Sequence, residues 1–143
     1  MSIEFDNLHY KVLGVVGSAF VGQIISSVWF LGFQRQFLKY CAHSEDESKK
    51  IIAETNVKFS SIWSFISKII TSIVFAWLAH SLNIMTIGSA ILLAVIVWFG
   101  FQITVCVNEV IWHGEKIQYY ALTQGCFLFV YTAMGAIYSL VAL

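Results

Sequence analysis

A few polar side chains in an otherwise apolar chain could carry chemistry, and three of them could form a path for a solute. Gln23 and Gln102 fall inside long apolar stretches, and Glu109 lies just past the stretch that contains Gln102. A row of amide side chains that leads to a carboxylate could pass a proton or a small polar solute between helices. Neutral amides also hydrogen-bond across membrane helices as structural links. The residues alone leave both interpretations open.

The histidines and cysteines are not spaced as metal or haem ligands are. No pair of histidines has the local spacing of a zinc site or lies deep within an apolar stretch, and no Cys-x-x-Cys pair is present. The sequence also contains no phosphate-binding loop and no arrangement that suggests a Ser-His-Asp triad. We therefore expect no enzymatic activity, no metal and no cofactor, with a haem- or quinone-binding electron-transfer protein as a further alternative, in which His80 would be the haem ligand. These residues are His9, His43, His80, His113, Cys41, Cys106 and Cys126.

The composition places these side chains in a membrane protein. Of the 143 residues, 59% are hydrophobic and only 11% are charged, whereas an ordinary soluble domain is about 25% charged. So few charges cannot cover the surface of a soluble domain, and the high hydrophobicity excludes intrinsic disorder. The eight basic and eight acidic residues give a net charge of zero. We therefore expect no nucleic-acid partner.

Four apolar stretches are long enough to cross a bilayer core, which takes roughly 20 residues. They are continuously apolar, unlike the alternating strands of a membrane barrel. The sequence therefore predicts one all-α domain over residues 1–143, a polytopic membrane protein with four transmembrane helices embedded in a lipid bilayer. The predicted spans are residues 12–33, 62–80, 84–107 and 119–143.

The basic residues predict the orientation of these spans. Seven of the eight lysines and arginines lie on or near the two connections that share one side, and only Lys11 lies on the other side. Basic connections stay in the cytoplasm. We therefore expect an integral protein of the cell (inner) membrane, with both termini on the non-cytoplasmic side.

Lys68 is the one charged residue inside a predicted span. A lysine at the bilayer centre costs about 2.5–3.5 kcal/mol on insertion scales. A lysine near the end of a span avoids much of this cost by extending its ammonium group to the headgroups. The alternative interpretation is a buried functional amine.

The connection between the first two spans carries signals of helix. Ser44 with Glu47 predicts a capping box, and three acid–base pairs at i,i+4 follow. No glycine or proline interrupts Glu45 to His80, which predicts one continuous helix. The pairs are Glu45–Lys49, Asp46–Lys50 and Glu54–Lys58.

A matching pair of apolar stripes predicts how this connection folds. Residues 34–42 contain no helix breaker, so the first helix should continue beyond its span. We expect the first two helices to extend into a cytoplasmic helical hairpin that turns near His43, with a helix lying flat on the membrane as the alternative. The stripes are Phe33, Phe37 and Tyr40 on one arm, and Ile51, Thr55, Phe59 and Ile62 on the other.

Small residues recur every four positions on the first helix, at Gly14, Ser18, Gly22 and Ser26. Small residues allow close approach of helix backbones in lipid, so this stripe predicts a contact face, within the chain or with a partner. Our leading hypothesis is a non-enzymatic integral membrane protein that acts through helix packing, as a homo-oligomer or as an accessory subunit of a larger membrane complex. The alternative is a small oligomeric channel or carrier for protons or small polar solutes.

Several short motifs resemble the domain of unknown function 1761 family of small four-helix membrane proteins. The clearest is Trp98-Phe99-Gly100-Phe101, supported by Ala79-His80 and by Gly135-Ala136-Ile137. The family's first helix typically ends in Trp-Tyr-Ser-Pro, and this chain has Trp29-Phe30-Leu31-Gly32 there. The missing proline agrees with a helix that continues. The resemblance implies the four-helix architecture and brings no activity with it.

Overall fold

The computed structural model describes residues 8–41, 45–54, 56–113 and 116–142, and these form helices joined by short connections, with no strand among them. Four stretches have the length and hydropathy of membrane spans, as predicted: Lys11–Gly32, Val57–Ser81, Ile87–Trp112 and Ile117–Val141. The helices are α1 (Leu8–Gly32), α2 (Gln34–Cys41), α3 (Glu45–Glu54), α4 (Val57–Ser81), α5 (Ile87–Val97), a π-helix (Trp98–Ile103), α6 (Thr104–His113) and α7 (Ile117–Ala142).

The first span continues into α2, as the absence of a breaker predicts. The amide of Phe33 donates to the Trp29 carbonyl at 2.9 Å, and the amide of Phe37 donates to the Phe33 carbonyl at 2.9 Å. Phe37 is buried, with its ring 5.8 Å from that of Tyr119 at the start of α7. This contact places the first and third connections at the same end of the bundle, as four spans require.

The second arm of the expected hairpin differs from the prediction. The expected continuous helix from Glu45 to His80 is instead two helices, because Asn56 caps α4 by accepting a hydrogen bond from the Phe59 amide at 3.1 Å. Asparagine is among the best residues for this role. Glu54 and Lys58 therefore lie on different helices and are not an i,i+4 pair. The predicted capping serine, Ser44, and the turn residue His43 lie outside the described residues.

Phe37 and Phe59, one from each apolar stripe, pack on different partners. Phe37 packs on Phe30 and Tyr119, whereas Phe59 is exposed and contacts Trp63 of its own helix. The described ion pair of α3 joins Lys50 and Glu54 at 3.9 Å, and both side chains are exposed.

The core is formed where α7 lies between α1 and α5. At Gly135 the α7 backbone approaches α5 so closely that a Cβ atom there would lie 3.0 Å from the Ala90 carbonyl oxygen. Ser139, one turn further along α7, is also buried. The small residues Gly135 and Ser139 therefore mark a contact face of α7. The cluster at this level comprises Phe75, Ala79, Ala90, Leu93, Ala94 and Tyr138.

The turn between α4 and α5 is tight and fully hydrogen-bonded at the end of α4. Asn83 adopts a left-handed conformation with φ of 51°, which asparagine tolerates better than most residues. The Ile84 amide then reaches back to the Ala79 carbonyl at 2.9 Å, and the Asn83 amide reaches that of His80 at 3.2 Å, in a Schellman motif. Thr86 caps α5. This turn joins the second and third spans.

Candidate functional site

Lys68 is buried near the middle of α4, with only 8% of its surface exposed. Its Nζ donates a hydrogen bond to the Ser64 hydroxyl at 2.8 Å. The Ser64 hydroxyl in turn donates to Oε1 of Gln23 on α1 at 3.2 Å. The sequence left two interpretations open for Lys68, and the structure shows a buried amine linked to α1 through Ser64.

Lys68 faces a cavity of about 350 Å³ between α1, α4, α7 and the π-helix. Hydroxyl, amide and ammonium groups line it on the α1, α4 and π-helix sides, and mainly apolar side chains of α1 and α7 close it. The volume lies in the range of pockets that hold small molecules. The polar lining comprises Ser26, Ser64, Ser67, Lys68, Thr71 and Gln102, and the other walls are Phe30, Phe127, Val130, Tyr131 and Met134.

No carboxylate in the described part of the chain lies within ion-pair distance of Lys68. The ammonium therefore has a hydroxyl and a cavity with several hydrogen-bonding groups as neighbours, but no described counter-charge. A buried charge without a partner is costly, and ionisable groups inside membrane spans commonly mark solute or ion sites. The cavity thus combines positive charge, hydrogen-bonding groups and space.

The π-helix Trp98–Ile103 brings Gln102 to this cavity. A π-turn adds a residue to the helical repeat, so side chains after it point in a shifted direction, and such turns occur frequently at functional sites. Trp98 fixes the π-helix to α7 because its Nε1 donates to the Gln124 carbonyl at 3.1 Å. The Thr104 hydroxyl donates to the Gly100 carbonyl at 2.5 Å. This hydrogen bond helps satisfy the altered backbone.

The small-residue stripe of α1 faces the interior of its own chain. Gly14, Ser18, Gly22 and Ser26 are all buried. A Cβ atom at Gly22 would lie 2.9 Å from Sδ of Met134 on α7. The Ser18 hydroxyl lies 2.5 Å from that of Ser72, and both donate to the Val15 carbonyl at 3.0 Å. The stripe therefore packs α1 against α4 and α7.

The three residues of the expected polar path are not all brought together. Gln23 reaches the cavity through Ser64, and Gln102 lines the cavity directly. Glu109 is exposed on α6 and is not among the lining residues. A path through all three residues stays a prediction, and the cavity gathers the two amides around Lys68.

A spacing signal in the sequence could have found the rest of the site. Ser64, Ser67, Lys68 and Thr71 follow the i, i+3, i+4, i+7 pattern of one helix face. Serine and threonine are common in membrane helices, so this polar face was not distinguished from ordinary packing. The presence of Lys68 within the pattern distinguishes this polar face from a face that only packs against other helices.

A comparison with known protein families identifies the family to which this chain belongs. A family model described as "Protein of unknown function (DUF1761)" matches residues 13–139, which is most of the chain. The chain belongs to the DUF1761 family. No curated protein and no solved structure matches it. In this DUF1761 chain the motif that carries the resemblance most clearly, from Trp98 to Phe101, lies in the π-helix beside the cavity. The family therefore supports the architecture, and the function must be argued from the cavity.

Proposed function

We propose that this DUF1761 chain is an integral membrane protein that captures a small anion between its helices, with Lys68 as the charged binding group. The observation that carries the proposal is the buried ammonium of Lys68, which faces a cavity and has no described carboxylate near it. An anion would supply the missing counter-charge. The hydroxyls of Ser64 and Ser67 and the amide of Gln102 would supply hydrogen bonds to its oxygens.

This proposal develops the carrier alternative and narrows it from polar solutes to anions. An ammonium in a low-dielectric site attracts a negative charge far more strongly than it would in water. The same ammonium opposes entry of a cation, because two like charges would then share the cavity. A carrier must also release its solute on the far side, and binding is the step for which the cavity provides evidence.

The hypothesis of an oligomer or accessory subunit stays a prediction, and its interaction surface must lie elsewhere on the molecule. Its motivating residues, Gly14, Ser18, Gly22 and Ser26, pack inside the chain. A large substitution at Gly22 would therefore disturb the fold as well as any assembly. Native-gel size after such a substitution would not separate the two causes.

The test is binding of simple anions to the purified protein in lipid nanodiscs. Acetate, succinate and phosphate are added at constant ionic strength, and the thermal midpoint is recorded. A ligand that binds the folded state at 100 times its Kd stabilises the protein by about 2.7 kcal/mol. We expect at least one of these anions to raise the midpoint of the wild type, and Lys68→Met to remove that rise.

Two variants control this experiment. Lys68→Arg keeps the positive charge and should retain part of the anion-dependent rise. Lys58→Met removes an exposed lysine of the same helix and should leave the rise unchanged. An equal rise in the wild type and in Lys68→Met, or no rise with any of the three anions, would overturn the proposal.

A further inference from the structure

A second cavity, of about 400 Å³, adjoins the Lys68 cavity between α4, α7 and the third span. Thr71 and Tyr131 line both cavities, so the two meet at these side chains. The second cavity is otherwise apolar. Its remaining lining residues are Ile70, Val74, Phe75, Leu78, Val97 and Phe101. We call it the apolar groove.

The apolar groove leads from the level of Lys68 toward the far end of α4. Its α4 residues extend from Ile70 to Leu78, which corresponds to about 12 Å along a helix axis. Ser64, which holds the ammonium of Lys68, lies in the opposite direction. A molecule that reached both cavities would have its charged end at Lys68 and its other end near the turn between α4 and α5.

The depth of Lys68 restricts what such a molecule can be. Lys68 lies eleven residues after Val57, the first residue of α4, which is about 16 Å along the helix. A bilayer core is about 30 Å thick, so this position is near the middle of a span. The headgroup of an intact phospholipid stays at the bilayer surface, whereas a small carboxylate can be enclosed between helices.

We propose that the bound anion is a single-chain amphiphile, such as a medium-chain carboxylate, with its anionic head at Lys68 and its tail in the apolar groove. This inference rests on the proposed function and adds the chemistry of the tail. The groove meets the Lys68 cavity at Thr71 and Tyr131, and it lacks the ammonium and amide groups that line that cavity. The anionic head would thus lie against the ammonium of Lys68, and the tail would lie against apolar side chains.

The experiment uses decanoate with a photoreactive diazirine at the tail end, bound to the protein in nanodiscs. After illumination, the labelled residues are identified by mass spectrometry. We expect the label on the groove side chains of α4 and the third span, such as Leu78, Val97 and Phe101. Unlabelled decanoate should compete for the site, and decanol, which has the same tail and no charge, should not. In Lys68→Met the groove label should fall by about tenfold, equivalent to a loss of about 1.4 kcal/mol.

A matched pair of variants separates the tail from the head. Val74→Trp fills the apolar groove, and Ile73→Trp places the same ring on an exposed neighbouring position that does not line it. We expect Val74→Trp to weaken decanoate binding by about tenfold while acetate binding is kept. Ile73→Trp should change neither.

The outcomes distinguish this inference from the proposed function. If acetate requires Lys68 but the tail label is spread evenly over all four spans, the anion site stands and the amphiphile inference is overturned. An equal effect of Val74→Trp and Ile73→Trp on decanoate would overturn it as well. If neither acetate nor decanoate depends on Lys68, both proposals are overturned together.

Discussion

The helix α4 passes through two levels of the bundle that differ in packing. At the closed level, Ser72 to Ala79, the helix packs against its neighbours through Ser72, Phe75 and Ala79, all of which are buried. The apolar groove runs beside this packed face, along Val74 and Leu78. At the open level, Ser64 to Thr71, a cavity separates Lys68 from α7 and the third span. One helix thus contributes to a compact core and to a cavity within four turns.

The difference follows from how each level satisfies its polar groups. At the closed level the hydroxyls of Ser18 and Ser72 lie within hydrogen-bonding distance of each other and of the Val15 carbonyl, so both of their protons have acceptors and no further partner is needed. At the open level Lys68 can donate three hydrogen bonds, and one is described, to Ser64. Helices can close around polar groups that satisfy one another, whereas an ammonium with spare donors requires a ligand or water.

The largest effect is expected from overpacking the closed level with Gly135→Leu. A Cβ atom at Gly135 already approaches the Ala90 carbonyl oxygen to 3.0 Å and the Phe75 ring to 3.1 Å. The rigid backbone of α5 cannot move aside as a side chain can. We expect a loss of about 3 kcal/mol of unfolding free energy, at the upper end of the usual cost of overpacking. Steric trapping in bicelles measures this quantity.

The control for Gly135→Leu is Gly88→Leu on α5. A Cβ atom at Gly88 would have no neighbour within 4 Å, so this variant should change stability by less than about 1 kcal/mol, the range of helix propensity. Equal losses in the two variants would show that the close approach of α5 and α7 does not hold the closed level together.

At the open level the change in unfolding free energy should have the opposite sign, because we expect Lys68→Met to stabilise the ligand-free protein. The substitution removes a charge that the folded bundle buries without a counter-charge, whereas in separated helices the ammonium can extend to the headgroups. It also removes the hydrogen bond to Ser64. We expect a net gain of about 2 kcal/mol in unfolding free energy, within the range found when buried charges are replaced by apolar residues. The exposed Lys58→Met is the control and should have little effect. A destabilised Lys68→Met would mean that the ammonium stabilises the empty bundle.

The two levels also differ in how well the sequence predicted them. The spans and the turn at Asn83 follow from local rules, since hydropathy sets the spans and turn residues end the helices. The stripe from Gly14 to Ser26 predicts a contact face, but its partner depends on the tertiary arrangement. Spacing cannot say whether small residues face α4, α7 or another copy.

The cavity could not be predicted in the same way, because it lies where neighbouring helices do not pack closely against each other. Lys68 was visible as the one charge within a span, yet its neighbours come from three other segments of the chain. Gln102 reaches the cavity through the π-helix, and a local change of helical register has no simple sequence signature.

The helix break at Asn56 was missed for a different reason. A lone asparagine in a polar stretch caps a helix only when the chain turns there.

Ser72→Ala tests whether mutual hydrogen bonding supports the closed level. The variant removes the contacts of the Ser72 hydroxyl with Ser18 and with the Val15 carbonyl, while the Ser18 hydroxyl can still donate to Val15. Interhelical hydrogen bonds in membranes are worth about 0.6 kcal/mol on average and up to about 1.7. We expect a loss of about 1 kcal/mol. Ser27→Ala, an exposed serine of α1 that bonds to the Gln23 carbonyl of its own helix, should cost less. Equal costs would show that the contact between Ser18 and Ser72 adds nothing.

The smallest effect is expected at the open level, from Ser64→Ala. Ser64 also makes two hydrogen bonds, one from Lys68 and one to Gln23, so it matches Ser72 in the number of bonds lost. Its surroundings differ, because a cavity of about 350 Å³ lies beside it and a water occupies only about 30 Å³. Water-mediated bonds are nearly as favourable as direct ones. Solvent in the cavity can therefore replace the hydroxyl, and we expect Ser64→Ala to cost no more than about half of what Ser72→Ala costs. If the two losses are equal in the same bicelles, the open level is as dry as the closed one, and the contrast between them lies in shape alone.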